Sequence, residues 1–332
     1  MEGNFLSWGA GARSGGLGKA YVGIANDASA SYWNPGGLMQ VDGIEIQALH
    51  TLLWEGVNYD YIGFAYPTMT EGVFGLNVVM LRAGDVERRD SNNNLMESKF
   101  GSMKTGTTIG YGRKIFSWLD IGISIKHIGR WLDGESTGFI TGDIGMMIRT
   151  GNLDIGIVGQ HVGYMKYGDT EDKLLPKLKL GIGYKLLEGA MTIAGGIETM
   201  VIPEMKKYIK DLLKWQVGIE YAMIGPFSIR AGMDGLMPSA GIGFKYNHIL
   251  KMDYSASLHS ELGLSHWISL GVRFGGSMNE VRKNKAKEIY EKAVKAYESG
   301  EKVEAKRLFK ELERYDWDNE VSGKMLKKLD KK

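Results

Sequence analysis

Between residues 44 and 274 the chain repeatedly alternates apolar and polar residues with a period of two. Lys214–Met223 is the clearest stretch. Trp215, Val217, Ile219, Tyr221 and Met223 fall on one side; Gln216, Gly218, Glu220 and Ala222 fall on the other. Successive strand residues point to opposite faces, so this reads as a β-strand with one apolar and one wet face. Leu119–Lys126, Leu178–Lys185 and Trp267–Phe274 repeat the pattern. The segments run to about ten residues, longer than the five or six of soluble sheets and close to the roughly 9–11 that cross a bilayer as a tilted strand. A soluble sandwich also alternates, but strand length favours a membrane barrel.

Strands are expected at 44–54, 57–66, 72–82, 104–115, 118–131, 137–149, 153–163, 176–187, 190–199, 211–223, 226–233, 238–247, 250–258 and 266–274. That makes about fourteen, an even number, as bacterial barrels have. After the first tight turn the linkers alternate short (67–71, 116–117, 150–152, 188–189, 224–225, 248–249) and longer (83–103, 132–136, 164–175, 200–210, 234–237, 259–265). Short turns mark the periplasmic side of such barrels, so both chain ends are expected there. Trp54, Trp118, Trp131 and Phe274 fall near strand ends, where aromatic belts form. The fold class expected is an all-β membrane protein: an antiparallel transmembrane β-barrel of about fourteen strands with a small C-terminal α-helical module.

Other features narrow the chemistry. The net charge of +2 gives no electrostatic case for nucleic acid. The chain has no cysteine, which removes disulfides, thiolate metal sites and cysteine nucleophiles. No apolar run approaches the roughly 18 residues of a membrane helix. His50, His127, His161, His248, His259 and His266 lack a His-Glu-x-x-His spacing and read as residues near strand ends rather than metal ligands. Asp85–Asn94 offers oxygens but lacks the glycine and final glutamate of an EF-hand, so it reads as a solvated loop. No catalytic residue, metal or cofactor is expected, and the chain reads as a non-enzyme.

Residues 1–43 are rich in Gly, Ala and Ser without a sustained period and read as compact irregular structure with a short helix around Ala20–Ala28. They contain Gly9-Ala10-Gly11-Ala12-Arg13, Gly18-Lys19-Ala20-Tyr21-Val22, Asp27-Ala28-Ser29-Ala30 and Trp33-Asn34-Pro35-Gly36-Gly37-Leu38. This stretch, residues 4–38, resembles the opening of the PorV/PorQ group of outer-membrane proteins. It is more distantly similar to the FadL long-chain fatty-acid transporters. The resemblance implies a fourteen-stranded barrel and an N-terminal segment folded inside it as a plug or hatch, carried here by Arg13, Asp27, Trp33, Asn34, Pro35 and Gly36. Irregular backbone at membrane depth is tolerated only when buried in protein or facing water. Arg13 and Asp27 are candidates to pair with inward charges such as Lys126, Arg230 or Glu220, and Trp33-Asn34-Pro35 is a candidate tight turn. A signal peptide is expected upstream, since Met1–Asn4 leaves no room for one.

After Gly276 the chain turns dense in Lys and Glu with helical periodicity. Ala286, Ile289, Ala293, Tyr297, Gly300, Ala305 and Phe309 resemble one tetratricopeptide repeat, with Trp317 where that family usually has proline. Tyr297, Ala305 and Phe309 are the candidate partner-binding groove, and a third helix is expected over Glu320–Leu329. Three parts follow: a plug at 1–43, a barrel at 44–276 and a periplasmic helical tail at 277–332. The PorV resemblance implies a barrel in the outer membrane that binds secreted or periplasmic proteins for export. The FadL resemblance implies a channel for hydrophobic small molecules such as long-chain fatty acids, with an exit through the wall for which Gly195-Gly196 is a candidate. A purely structural barrel is the third reading. Outer-membrane lipid is the expected surrounding in each.

Overall fold

The computed structural model describes residues 2–54, 56–90, 92–167, 174–201, 213–247, 249–315 and Leu326. Its strands are β1 (Ile44–Leu52), β2 (Asn58–Pro67), β3 (Val73–Arg89), β4 (Leu95–Phe116), β5 (Leu119–Leu132), β6 (Glu135–Thr150), β7 (Leu153–Gln160), β8 (Tyr164–Tyr167), β9 (Lys177–Leu186), β10 (Met191–Met200), β11 (Lys214–Ala222), β12 (Phe227–Asp234), β13 (Met237–Tyr246), β14 (Leu250–His259) and β15 (Gly263–Phe274). Each pairs antiparallel with its neighbours, and β15 closes on β1 from Ile44↔Phe274 to Leu52↔His266. Both β7 and β8 pair with β6, so the segments fill fourteen positions of a closed barrel.

The alternation produces this wall directly. On β1, Glu45, Gln47, Leu49 and Thr51 are buried inside while Ile46 and Leu52 are exposed outside. Ile121, Ile123 and Ile125 on β5 and Leu178, Leu180, Ile182 and Tyr184 on β9 likewise face outward. An outward apolar band of this kind is what lipid requires. Trp118, Trp131 and Phe274 are exposed at strand ends. Trp54 instead packs on the plug residue Trp8, with ring centroids 5.3 Å apart, and on His259.

The structure corrects several boundaries. The segment 83–103 is not a loop: β3 and β4 run to 17 and 22 residues as a long hairpin, at whose tip the Asp90 N–H donates to the Asn94 carbonyl at 3.0 Å. Beyond the barrel rim neither face needs to be apolar, so the alternation that marks the lower strands disappears. The linkers Asp133-Gly134 and Gly235-Leu236 are two-residue hairpin turns, with φ of 50° at Asp133 and 60° at Gly235. The strand expected over 153–163 breaks after Gln160.

The N-terminal segment carries a 3₁₀-helix at Glu2–Ser7, α1 (Ala12–Gly16), α2 (Ala30–Trp33) and a second 3₁₀-helix at Pro35–Gln40. The helix expected at Ala20–Ala28 is absent; turns occupy Val22–Ile24. Gly18 and Lys19 have φ of 58° and 63°, which ends α1's path, and Val22–Gly23 lies flat on Gly156 and Gly181 of the wall. A helical cylinder does not fit in that gap.

The tail forms α3 (Met278–Glu298) and α4 (Lys302–Tyr315). Ser277 caps α3, its Oγ accepting from the Glu280 N–H at 3.1 Å. Gly300, at φ 82°, turns the chain between the helices. Ala286, Ile289, Ala293, Ala305, Phe309 and Leu312 form the contact between them. The expected helix at Glu320–Leu329 lies outside the described residues except for Leu326, which packs against this cluster.

Candidate functional site

The lumen is filled by residues 5–41, and the wall is shaped to receive them. At several inner positions a side chain would overlap the plug. A Cβ on Gly122 would lie 2.2 Å from Pro35, one on Gly232 2.2 Å from Leu17, and one on Gly181 2.5 Å from Gly23. The plug backbone therefore seats directly on wall backbone, which explains why glycine is so frequent in strands that otherwise disfavour it.

Polar contacts fix the seat. Asn34 is fully buried; its Nδ2 donates to the carbonyls of Met146 (2.9 Å) and Val22 (3.2 Å), and its Oδ1 accepts from the Gly36 N–H. Asn34 thus caps the helix that Pro35 opens, rather than forming an isolated tight turn. The Trp33 indole N–H donates to Ala10 at 2.9 Å. Arg13 pairs in bidentate fashion with Glu220, at 2.8 Å for both bonds, and its Nη1 donates to Tyr21 and Asn26. Arg230 grips the same carboxylate at 2.6 Å and Asp253 at 2.7 Å. Asp27 makes no bond to the wall charges expected for it; it accepts from Tyr21 (2.6 Å) and from Ser29. Lys126 is instead taken by Asp143 at 2.7 Å.

At the end opposite the helical tail, beside the first residues of the plug, lies a cavity of about 460 Å³. Its floor is Phe5, Leu6, Trp8, Val22 and Trp33. Its sides carry Lys19, Lys104, Lys179 and Lys214 against Glu198 and Asp234, a formal excess of two positive charges. Lys179 pairs with Glu198 at 3.1 Å and Lys19 with Asp234 at 3.0 Å. The same two ammonium groups lie 5.6 Å and 5.3 Å from the rings of Trp33 and Trp8. Of Arg13, Asp27, Trp33, Asn34, Pro35 and Gly36, Trp33 alone lines this cavity. The others hold the plug, and no pattern along the chain marked the cavity lysines as a group.

The wall is interrupted beside His161. Ile144 faces Gly159 and Thr141 faces Tyr164, so three steps on β6 are matched by five on the other side, leaving two extra residues. Side chains on the inner face of β6 stitch this bulge. The His161 N–H donates to Asp143 at 3.0 Å, and the Thr141 hydroxyl donates to the Gly163 carbonyl at 2.7 Å. Among the described residues β8 pairs only with β6, and β9 begins at Lys177 opposite Gln160. Gly195 and Gly196, by contrast, pair regularly with both neighbouring strands and open nothing.

In the tail, Ala305 and Phe309 are fully buried between the two helices, and Tyr297 is more than one-third exposed. The first two are consumed in the hairpin contact, so the three do not form a groove open to a partner.

The closed fourteen-stranded barrel around a buried N-terminal segment has a FadL-like barrel fold. No family model matches the chain, and no curated protein matches it. Among solved structures it is similar to the CymD monoaromatic hydrocarbon channel, with a TM-score of 0.57 and 12% identity over 81% of this chain and 98% of that one. The Pseudomonas putida toluene transporter TodX gives 0.53 and 12%, over 80% and 97%. A Pseudomonas aeruginosa FadL homologue gives 0.53 and 11%, over 79% and 98%. At this identity the likeness is one of fold.

Proposed function

We propose that the chain is a passive, non-enzymatic outer-membrane channel for hydrophobic small molecules bearing an acidic group, long-chain fatty acids among them. The observation that carries this is the cavity: an aromatic floor for an apolar body and a lysine-rich rim for a carboxylate, within the roughly 300–1,000 Å³ usual for ligand sites. The hydrocarbon channels with the same fold support the reading. The plug forms the cavity floor, so passage requires either its displacement or a sideways exit, and the interruption beside His161 is the candidate exit. In this reading residues 1–43 are the plug, 44–276 the barrel and 277–332 a tail on the periplasmic side, while the plug begins at the opposite end, where Phe5, Leu6 and Trp8 line the cavity.

Reconstituted liposomes test it. Transfer of oleate into protein-bearing vesicles faster than into empty ones is the expected result. Equal rates, together with no change in tryptophan fluorescence on titration with oleate, would remove the proposal.

A second reading, a PorV-type barrel that binds proteins for export, is favoured by one observation, the N-terminal motif over residues 4–38. Cross-linking in intact outer membranes separates the two. Recovery of secreted proteins sharing one end domain would favour the second.

A further inference from the structure

The two tail helices do not hang free of the barrel. We infer that they form a latch on the exit end of the plug, with Asp42 as the catch. Asp42 is the second residue before β1, at the point where the plug becomes wall. Its carbonyl accepts from the Met278 N–H at 2.9 Å, and its carboxylate accepts from the Asn279 N–H at 2.8 Å. Both donors belong to the first turn of α3, whose N–H groups have no partner within the helix. The helix dipole adds to the attraction for an anion there. The other carboxylate oxygen of Asp42 faces Arg273, the penultimate residue of β15, at 3.6 Å. One side chain thus joins the plug, the strand that closes the barrel and the tail.

A second set of contacts holds the hairpin in place. Arg282, one helical turn along α3, donates from Nε to the Met69 carbonyl at 3.0 Å and from Nη2 to the Thr68 carbonyl. Arg314 on α4 pairs with Glu71 at 2.9 Å. Thr68, Met69 and Glu71 all lie in the β2–β3 turn. The exposed Arg314 pair contributes little by itself. Arg282 is different, because it satisfies two turn carbonyls from a partly buried position and fixes the direction in which α3 leaves the barrel. With α3 so directed, its first turn can only lie over Asp42.

The plug segment nearest this catch is the 3₁₀-helix Pro35–Gln40, a weak element in isolation. It is followed by Val41, whose N–H bonds back to Leu38 at 2.9 Å. Docking the tail therefore lowers the frequency with which residues 35–42 open towards the tail side. A molecule that binds or undocks the hairpin acts on the plug from that side. This inference does not depend on what the channel carries.

Hydrogen exchange on the full-length protein in detergent tests it, with amides of 35–42 compared with those of β1. Asp42→Ala and Arg282→Ala are each expected to raise exchange over 35–42 at least tenfold and leave Ile46–Leu52 unchanged. Lys292→Ala, on the exposed face of α3, is expected to change neither. Should Asp42→Ala also raise exchange in β1, Arg282→Ala decides, because it touches neither the plug nor the closing strand. Faster exchange in α3 with unchanged exchange over 35–42 in Arg282→Ala would overturn the latch.

Discussion

Arg13 meets Glu220 through two bonds of 2.8 Å across the boundary between plug and wall, and Arg230 holds the same carboxylate from the barrel side at 2.6 Å. The arrangement is asymmetric. Removing Arg13 leaves Glu220 paired, whereas removing Glu220 leaves two cations facing each other, with Asp253 paired directly to Arg230 alone.

Glu220→Ala is therefore expected to destabilise the plugged barrel by about 3–5 kcal/mol, the range for breaking a buried pair. Arg13→Ala is expected to cost less than half of that. The temperature at which the heat-modifiable barrel unfolds on a gel measures both. Equal shifts would refute the asymmetry.

Gly122→Ala should push on Pro35, because its Cβ has no room, and overpacking of this kind costs typically about 1–3 kcal/mol. Gly271→Ala, whose nearest neighbour would be Lys251 at 3.6 Å, should be neutral. The same gel assay distinguishes them, and loss of stability in both would argue against close seating of the plug.

Deleting Val162 and Gly163 removes the two extra residues of the wall bulge and restores register between β6 and the continuing strand. If ligand leaves sideways at this point, oleate transfer should fall at least tenfold while oleate binding and barrel stability persist. Transfer at the normal rate would place the exit elsewhere.

Lys214→Glu converts the cavity excess of two positive charges to none. Oleate affinity is expected to fall about tenfold, and that of a neutral aromatic such as toluene to stay the same. Competitive fluorescence titration reads both, and a parallel loss for the two ligands would mean that shape, not charge, does the selecting.

The tail responds to acid in a definite direction. Glu288 accepts from Lys285 and Lys292, and these bonds hold its carboxyl down to about 2 from an ordinary 4.5. A lowered folded value stabilises the helix above about 4.5, and that stabilisation is lost as pH falls towards 2. Exchange of α3 amides should therefore rise across that interval, modestly because the residue is solvated. Lys285→Ala with Lys292→Ala should flatten the dependence.

The barrel was legible along the chain wherever lipid forces one face to be apolar. β11 with Trp215, Val217 and Ile219, and β15 with Ile268, Leu270 and Val272, could be read residue by residue. The extension of β3 and β4 past Arg82 was not, because Glu87, Arg88 and Arg89 lie where both faces meet water. The break after Gln160 was also hidden. It is made by Asp143 and Thr141 of β6, and nothing within 153–163 announces them. Gly195-Gly196 misled for the opposite reason: glycine there permits a kink that the regular pairing with β9 and β11 does not use. The cavity joins the first plug residues to the ends of strands from β3 to β14, so its parts come together only through the closed ring.

The glycine contacts between plug and wall have a consequence for descent. Where Gly122 meets Pro35 and Gly232 meets Leu17, a methyl group added to the wall would run into plug backbone, and only a change in the plug's own path would make room for it. The first forty residues and the strands that enclose them are therefore free to diverge only in step. A plug borrowed from another barrel would arrive as a casting made for a different mould.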